Sequence, residues 1–183
     1  MTPIVARLHP SDRVEAFARA VLRRVAEPQL DLADPAGTAA ALADAFAFVD
    51  GRAPGEIRVR LIDPAVTLDG SRPSGTVVEV SCEDRPFIVA SVKDELHRLG
   101  QRVARIFHPV FGAERDASGR VTTVLPARAA ARRESFLQVV LVGHIADAAR
   151  PPLEAAIRRV LRDVFTVTQD HFAMRSELEW VMA

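Results

Sequence analysis

The sequence predicts an α+β fold in which helices cover one face of a mainly antiparallel sheet, preceded by an N-terminal helical pair. Three observations predict it. Two apolar stripes of helical period precede any strand signal, strands and helices then follow in the order strand, strand, helix, hairpin, strand, helix, and one late strand is apolar almost without interruption. At 183 residues with 49% apolar and 26% charged side chains, the chain is large enough for one domain with its own core.

In the first helix Val14, Phe17, Ala18, Val21, Leu22 and Val25 recur at intervals of three and four, with Ser11 as the expected N-cap. The second opens at Asp34 and Pro35, carries Leu42, Ala45, Phe46 and Val49 on one face, and stops at Gly51. After the Gly/Pro break at residues 52–55, Ile57, Val59 and Leu61 alternate with Arg58 and Arg60 as a half-buried strand does. A turn-rich loop spans 63–75, and Thr76 to Ser81 form the next strand.

The helix predicted for Pro86 to Leu99 has Asp84 or Arg85 ahead of its first-turn proline, with Ile88, Val92, Leu96 and Leu99 on its apolar face. Gly100 is its left-handed stop. Val103 to His108 begins the long arm of a hairpin that turns at 116–119 and returns over Arg120 to Leu125. Residues 127–133 read as a loop. Ser135 to His144 is the near-continuous apolar strand, expected at the centre of the sheet and covered on both faces. Leu153, Ala156, Ile157, Val160, Leu161 and Val164 mark a helix, and 168–183 continue with a looser pattern. This order matches the split β-α-β arrangement of ferredoxin-like domains.

Composition excludes several functions. The 24 basic and 24 acidic residues cancel, which removes the net positive field that non-specific nucleic-acid or anionic-membrane binding uses. Cys82 is the only cysteine, so no intrachain disulfide or cysteine-rich zinc site can form, and a free thiol suits the cytoplasm. No apolar run approaches the roughly 18 residues of a membrane span. Lys93 is the only lysine and follows no glycine-rich loop. His9, His97, His144 and His171 show no metal-ligand spacing, and no Gly-x-Ser-x-Gly elbow singles out Ser81, Ser91 or Ser135. No metal and no cofactor are expected.

The run Glu83-Asp84-Arg85-Pro86-Phe87 resembles the strand-to-helix turn of ACT domains, usually Asp-Arg-Pro-Gly followed by apolar residues. With Phe after the proline, it is similar to the first ACT-type domain of the large bacterial NAD-dependent glutamate dehydrogenases. Phe107-His108-Pro109-Val110 resembles that family's Ile-His-Pro-Val, Arg115 to Arg120 its hairpin turn, and Glu134-Ser135 the opening of its next strand. The resemblance covers about Ile57 to Val167. It departs at Ala90, where the family has Asp, and at Phe136 to Leu141, where the family reads Trp-Met-His-Ile-Glu-Ile. It implies three parts: the helical pair at 1–52 packed on the core, an ACT-like domain at 56–167, and a C-terminal helix at 168–183. The usual ACT order ends in a strand, which this chain lacks; Ile57 to Ile62 are expected in an outer sheet position instead.

The family's dehydrogenase chemistry resides far downstream in a longer polypeptide, so the resemblance implies a non-catalytic regulatory module. The absence of a Gly-x-Gly-x-x-Gly turn agrees. ACT domains bind amino acids at the strand-to-helix turn across a dimer interface. The candidate ligand residues are therefore Glu83, Asp84, Arg85, Pro86 and Phe87, where helix amides hold a carboxylate, together with His108. The structural alternatives are Asp84 as a helix cap, and His108 as a half-buried ring bonded to the backbone beside a proline bend. The expected partners are an amino acid or small carboxylate and a second copy or another protein. Two further readings stay open, a pure interaction module without a small-molecule ligand and a fragment of the full dehydrogenase.

Overall fold

The computed structural model describes Ile4 and residues 12–23 and 33–181, with side chains described as far as Thr168. The Ser11 cap and Val25 fall outside the described residues, as do the side chains of residues 169–183. The elements are α1 (Asp12–Leu22), α2 (Pro35–Val49), β1 (Arg58–Ile62), β2 (Val77–Glu83), α3 (Ile88–Arg98), β3 (Val103–Phe107), β4 (Val110–Arg115), β5 (Val121–Pro126), β6 (Arg133–Leu141) and α4 (Arg150–Val181). They form the predicted α+β fold on a six-stranded sheet ordered β1-β2-β6-β4-β5, with β3 pairing β6 as well. Every strand pair is antiparallel.

Strand β6 is central, as its apolar run predicts. Alternation sends Leu137, Val139 and Leu141 to one face, where they join Val78, Val80, Ile88, Val92, Leu96, Ile157 and Leu161 beneath α3 and α4. Phe136 lies on the opposite face, in a separate core with Phe17, Leu42, Phe46, Val49 and Phe111 beneath α1 and α2. Phe17 anchors that second core edge-on to Phe111 at 5.3 Å and Phe136 at 6.3 Å. The helical pair therefore packs on the sheet face opposite α3 and α4.

The hairpin arm is not one strand. Pro109 has no amide hydrogen to give, and the arm breaks there into β3 and β4, which pair successive stretches of β6. The loop over 63–75 is also more than a linker, because Val66 and Leu68 are buried in it and the Thr67-Asp69-Ser71 turn is tied to Arg105 of β3. Residues 150–181 form one continuous helix, without a boundary at Thr168. Gly51 and Gly100 end their helices at φ +69° and +76°, the conformation that makes glycine the preferred stop.

β1 occupies the expected outer position. Its free edge faces α4, where Glu154 accepts from the Leu61 amide at 3.2 Å, Arg158 donates to the Val59 carbonyl at 3.1 Å and Arg150 to that of Leu61 at 3.4 Å. On β1 itself, Arg58 donates to the Phe48, Asp50 and Gly51 carbonyls at the end of α2, pairing a cation with the negative end of a helix.

Candidate functional site

The β2–α3 turn departs from its predicted form, and Pro86 lies ahead of the helix instead of in its first turn. Helix α3 begins at Ile88, with Phe87 in the capping position at φ +70° and no side chain bonded to the helix amides. Phe87 is the only non-glycine described residue in the left-handed region, a conformation that is strained for a bulky side chain. Asp84 does not cap the helix, because its carboxylate is engaged across the sheet. It accepts from the Ser135 hydroxyl at 2.8 Å and lies 3.5 Å from Arg133 Nε.

Ser135 connects two of the predicted residues. Its oxygen is 3.0 Å from Nε2 of His108, which sits at the β3–β4 break. An ionised carboxylate only accepts, so Ser135 donates to Asp84 and His108 donates through Nε2 to Ser135. That polarity is the reverse of what a nucleophilic serine needs, since the imidazole gives a proton toward the hydroxyl instead of taking one. Cys82 offers no nucleophile either, because burial pushes its thiol up to about 12.

Glu83 pairs with Arg85 at 3.2 Å, and the Arg85 guanidinium lies 5.6 Å from the centre of the Phe165 ring on α4. Glu83, Asp84, Arg85 and Pro86 line a cavity of about 760 Å³ together with Ala131, Arg132 and Arg133. Phe87 and His108 are not in its lining, and 70% of Phe87 is exposed.

A second cavity of about 520 Å³ shares Glu83, Arg132 and Arg133 and extends over Arg52, Arg115 and Glu134. Here Glu134 takes Arg115 bidentately at 2.7 and 2.6 Å and Arg52 at 3.1 Å. The Arg52, Arg115 and Glu134 side chains are only 2%, 11% and 6% exposed, so two cations and one anion are buried together. Arg52 Nε is one of two buried side-chain polar atoms without a partner among the described residues. No group of histidine, cysteine and carboxylate side chains there could hold a metal ion.

Sequence reasoning joins Glu83 to Pro86 correctly into one turn but misses Ser135, Arg132, Arg133 and the Arg52-Glu134-Arg115 cluster. Ser135 enters the sequence reading only as the opening of a strand, with no chemistry attached, and Arg132 and Arg133 read as part of a loop. Only strand register, with Cys82 opposite Ser135 and Glu83 opposite Glu134, places them at the turn.

The profile of the glutamate dehydrogenase ACT1 domain matches residues 17–173. The chain belongs to that family. The ACT1 match takes in the turn, the hairpin and most of the helical pair, so it extends beyond the region that the motifs alone delimit. The chain is 30% identical over 177 residues to an NAD-specific glutamate dehydrogenase of Halomonas elongata, an alignment covering 94% of this chain and 11% of the relative. It is 29% identical over 124 residues to that of Pseudomonas aeruginosa, covering 65% of this chain and 8% of the relative. This ACT1 chain thus spans about a tenth of the length of the curated relatives it matches. No solved structure matches it significantly. Among its described residues no helix is long and apolar enough to cross a membrane.

Proposed function

We propose that this ACT1 domain is a non-catalytic regulatory module that binds a small carboxylate of amino-acid type beside the β2–α3 turn, within a cytoplasmic, oligomeric protein. The observation that carries the reading is the cavity at that turn. It brings Arg85, Arg132 and Arg133 together in one lining, a set of cations suited to a carboxylate. Glu83 and Asp84 beside them supply acceptors for an ammonium group, so both ends of a zwitterion find partners. The NAD-linked oxidation of glutamate named for the relatives belongs, in this reading, to the remainder of a longer polypeptide.

Thermal unfolding of the purified chain against a panel of amino acids tests the reading. A ligand bound only by the native state, at about 100 times its dissociation constant, adds roughly 2.7 kcal/mol and raises the midpoint by about 5–10 °C. The expected result is such a shift with one amino acid, abolished by Arg132→Ala together with Arg133→Ala. No shift in a folded sample overturns it. The exposed Phe87, held in a strained backbone conformation, then favours the second reading, a module that docks on another protein and takes no small ligand.

A further inference from the structure

Helix α4 is 32 residues long, about 48 Å, whereas strand β6 has nine residues and spans about 30 Å. The part of the helix up to Thr168 covers the sheet through Leu153, Ile157 and Leu161. Thr168 is the last described residue on that stripe and is buried. Extending the stripe along the helix leads to Phe172, Arg175 and Glu179, so its apolar character fades beyond Thr168.

A different row is apolar instead. Val164, Val167, His171, Met174, Leu178 and Val181 are spaced three, four, three, four and three apart, the a and d spacing of a coiled-coil seam. The seam starts at the flank of the sheet-covering face, where Val164 is half-buried and Val167 is 67% exposed. With Val164 at an a position, the g positions before each a are Asp163, Asp170 and Glu177, and the e positions after the first two d residues are Thr168 and Arg175.

These flanking charges select an orientation. In an antiparallel pair g positions lie opposite g positions, which sets three acidic residues against three. In a parallel pair each g lies opposite the e position five residues on, which sets Asp170 against Arg175 of the second strand and leaves no like-charged pair. His171 at the central a position is a polar register marker of the kind that favours an in-register dimer.

We propose that residues 164–181 of α4 form a parallel two-stranded coiled coil with a second copy of this chain, through the seam of Val164, Val167, His171, Met174, Leu178 and Val181. The proposal does not depend on the ligand at the β2–α3 turn, because no residue of the seam lines that cavity.

Sedimentation equilibrium of the chain, 19.9 kDa as a monomer, is the test. The expected result is a dimer in the micromolar range. Met174→Glu with Leu178→Glu is expected to weaken it by at least about 100-fold while leaving the unfolding midpoint of the sheet core in place. Asp170→Arg is expected to weaken the dimer, and adding Arg175→Asp to restore it. Leu178→Cys brings identical positions together in a parallel pair and is expected to crosslink under mild oxidation, whereas native Cys82 is buried. A monomer at every concentration gives the seam to some other segment and overturns the proposal. So does a dimer indifferent to the double glutamate variant, or one in which Leu178→Cys fails to crosslink.

Discussion

The two faces of one sheet are built by different means. Beneath α3 and α4 the contacts are aliphatic, with Leu137, Val139 and Leu141 meeting Ile88, Val92, Leu96, Ile157 and Leu161. Beneath α1 and α2 an aromatic cluster is bordered by buried ionic links, Arg60 to Glu79 with Gln138 behind it, and Arg52 and Arg115 to Glu134. Burial pushes the Glu79 carboxyl up while Arg60 and Gln138 pull it back down, so the group sits between opposing demands. The aliphatic face tolerates small changes of volume gradually, whereas the ionic face depends on every partner being present.

The sharpest test of that contrast compares one removal on each face. Glu134→Ala strands Arg52 and Arg115 without their counter-ion and is expected to cost about 3–5 kcal/mol in urea unfolding. Leu137→Ala opens a cavity on the other face at about 2–5 kcal/mol. The two are separated by the second replacement: adding Arg52→Met to Glu134→Ala recovers much of the first loss, while no polar change elsewhere repairs Leu137→Ala. A cost below about 1 kcal/mol for Glu134→Ala would show that the ionic face is solvated and the contrast false.

Ser135→Ala probes the junction of the site with the sheet on a smaller scale. It removes the hydroxyl shared by Asp84 and His108 and is expected to cost about 1–3 kcal/mol, read by chemical denaturation. It should also change the imidazole shifts of His108 in NMR spectra while leaving those of His97 in place.

The smallest effect concerns pH. The Thr76 hydroxyl, with Arg150 and His144, lowers Asp63 from 3.8 to about 2. Its stabilising contribution is present in full above 3.8 and is lost as pH falls through about 2. The carboxylate is about a third exposed, so solvent screening holds the effect to about 1 kcal/mol or less. Asp63→Asn is expected to remove this part of the acid transition between pH 4 and 2, as measured by midpoint against pH.

How much could be read from the sequence follows the same division. The aliphatic face was legible because Leu153, Ile157, Leu161 and the apolar run of β6 carry the helical and central-strand patterns directly. The ionic face was not. Arg58 and Arg60 alternate with Val59 and Leu61 as the residues of a solvated face do, and nothing local reveals that α2 covers them. Leu68 was hidden in a turn-rich loop, and Arg52 in a Gly/Pro break. The turn from Glu83 to Pro86 was legible as a contiguous motif. Its partners, Ser135 and Arg133, stand about 50 residues away and are joined to it by strand register alone.

The contacts between β1 and α4 join residues 89 to 99 positions apart. On a ribosome, β1 emerges long before the helix that will cover its outer edge. During that interval the edge amide of Leu61 and the carbonyl of Val59 are open to any extended chain nearby. The fold thus delays the closing of this border until α4 is made. Nascent chains halted before residue 150 are those on which a chaperone that binds extended strands would be expected to act.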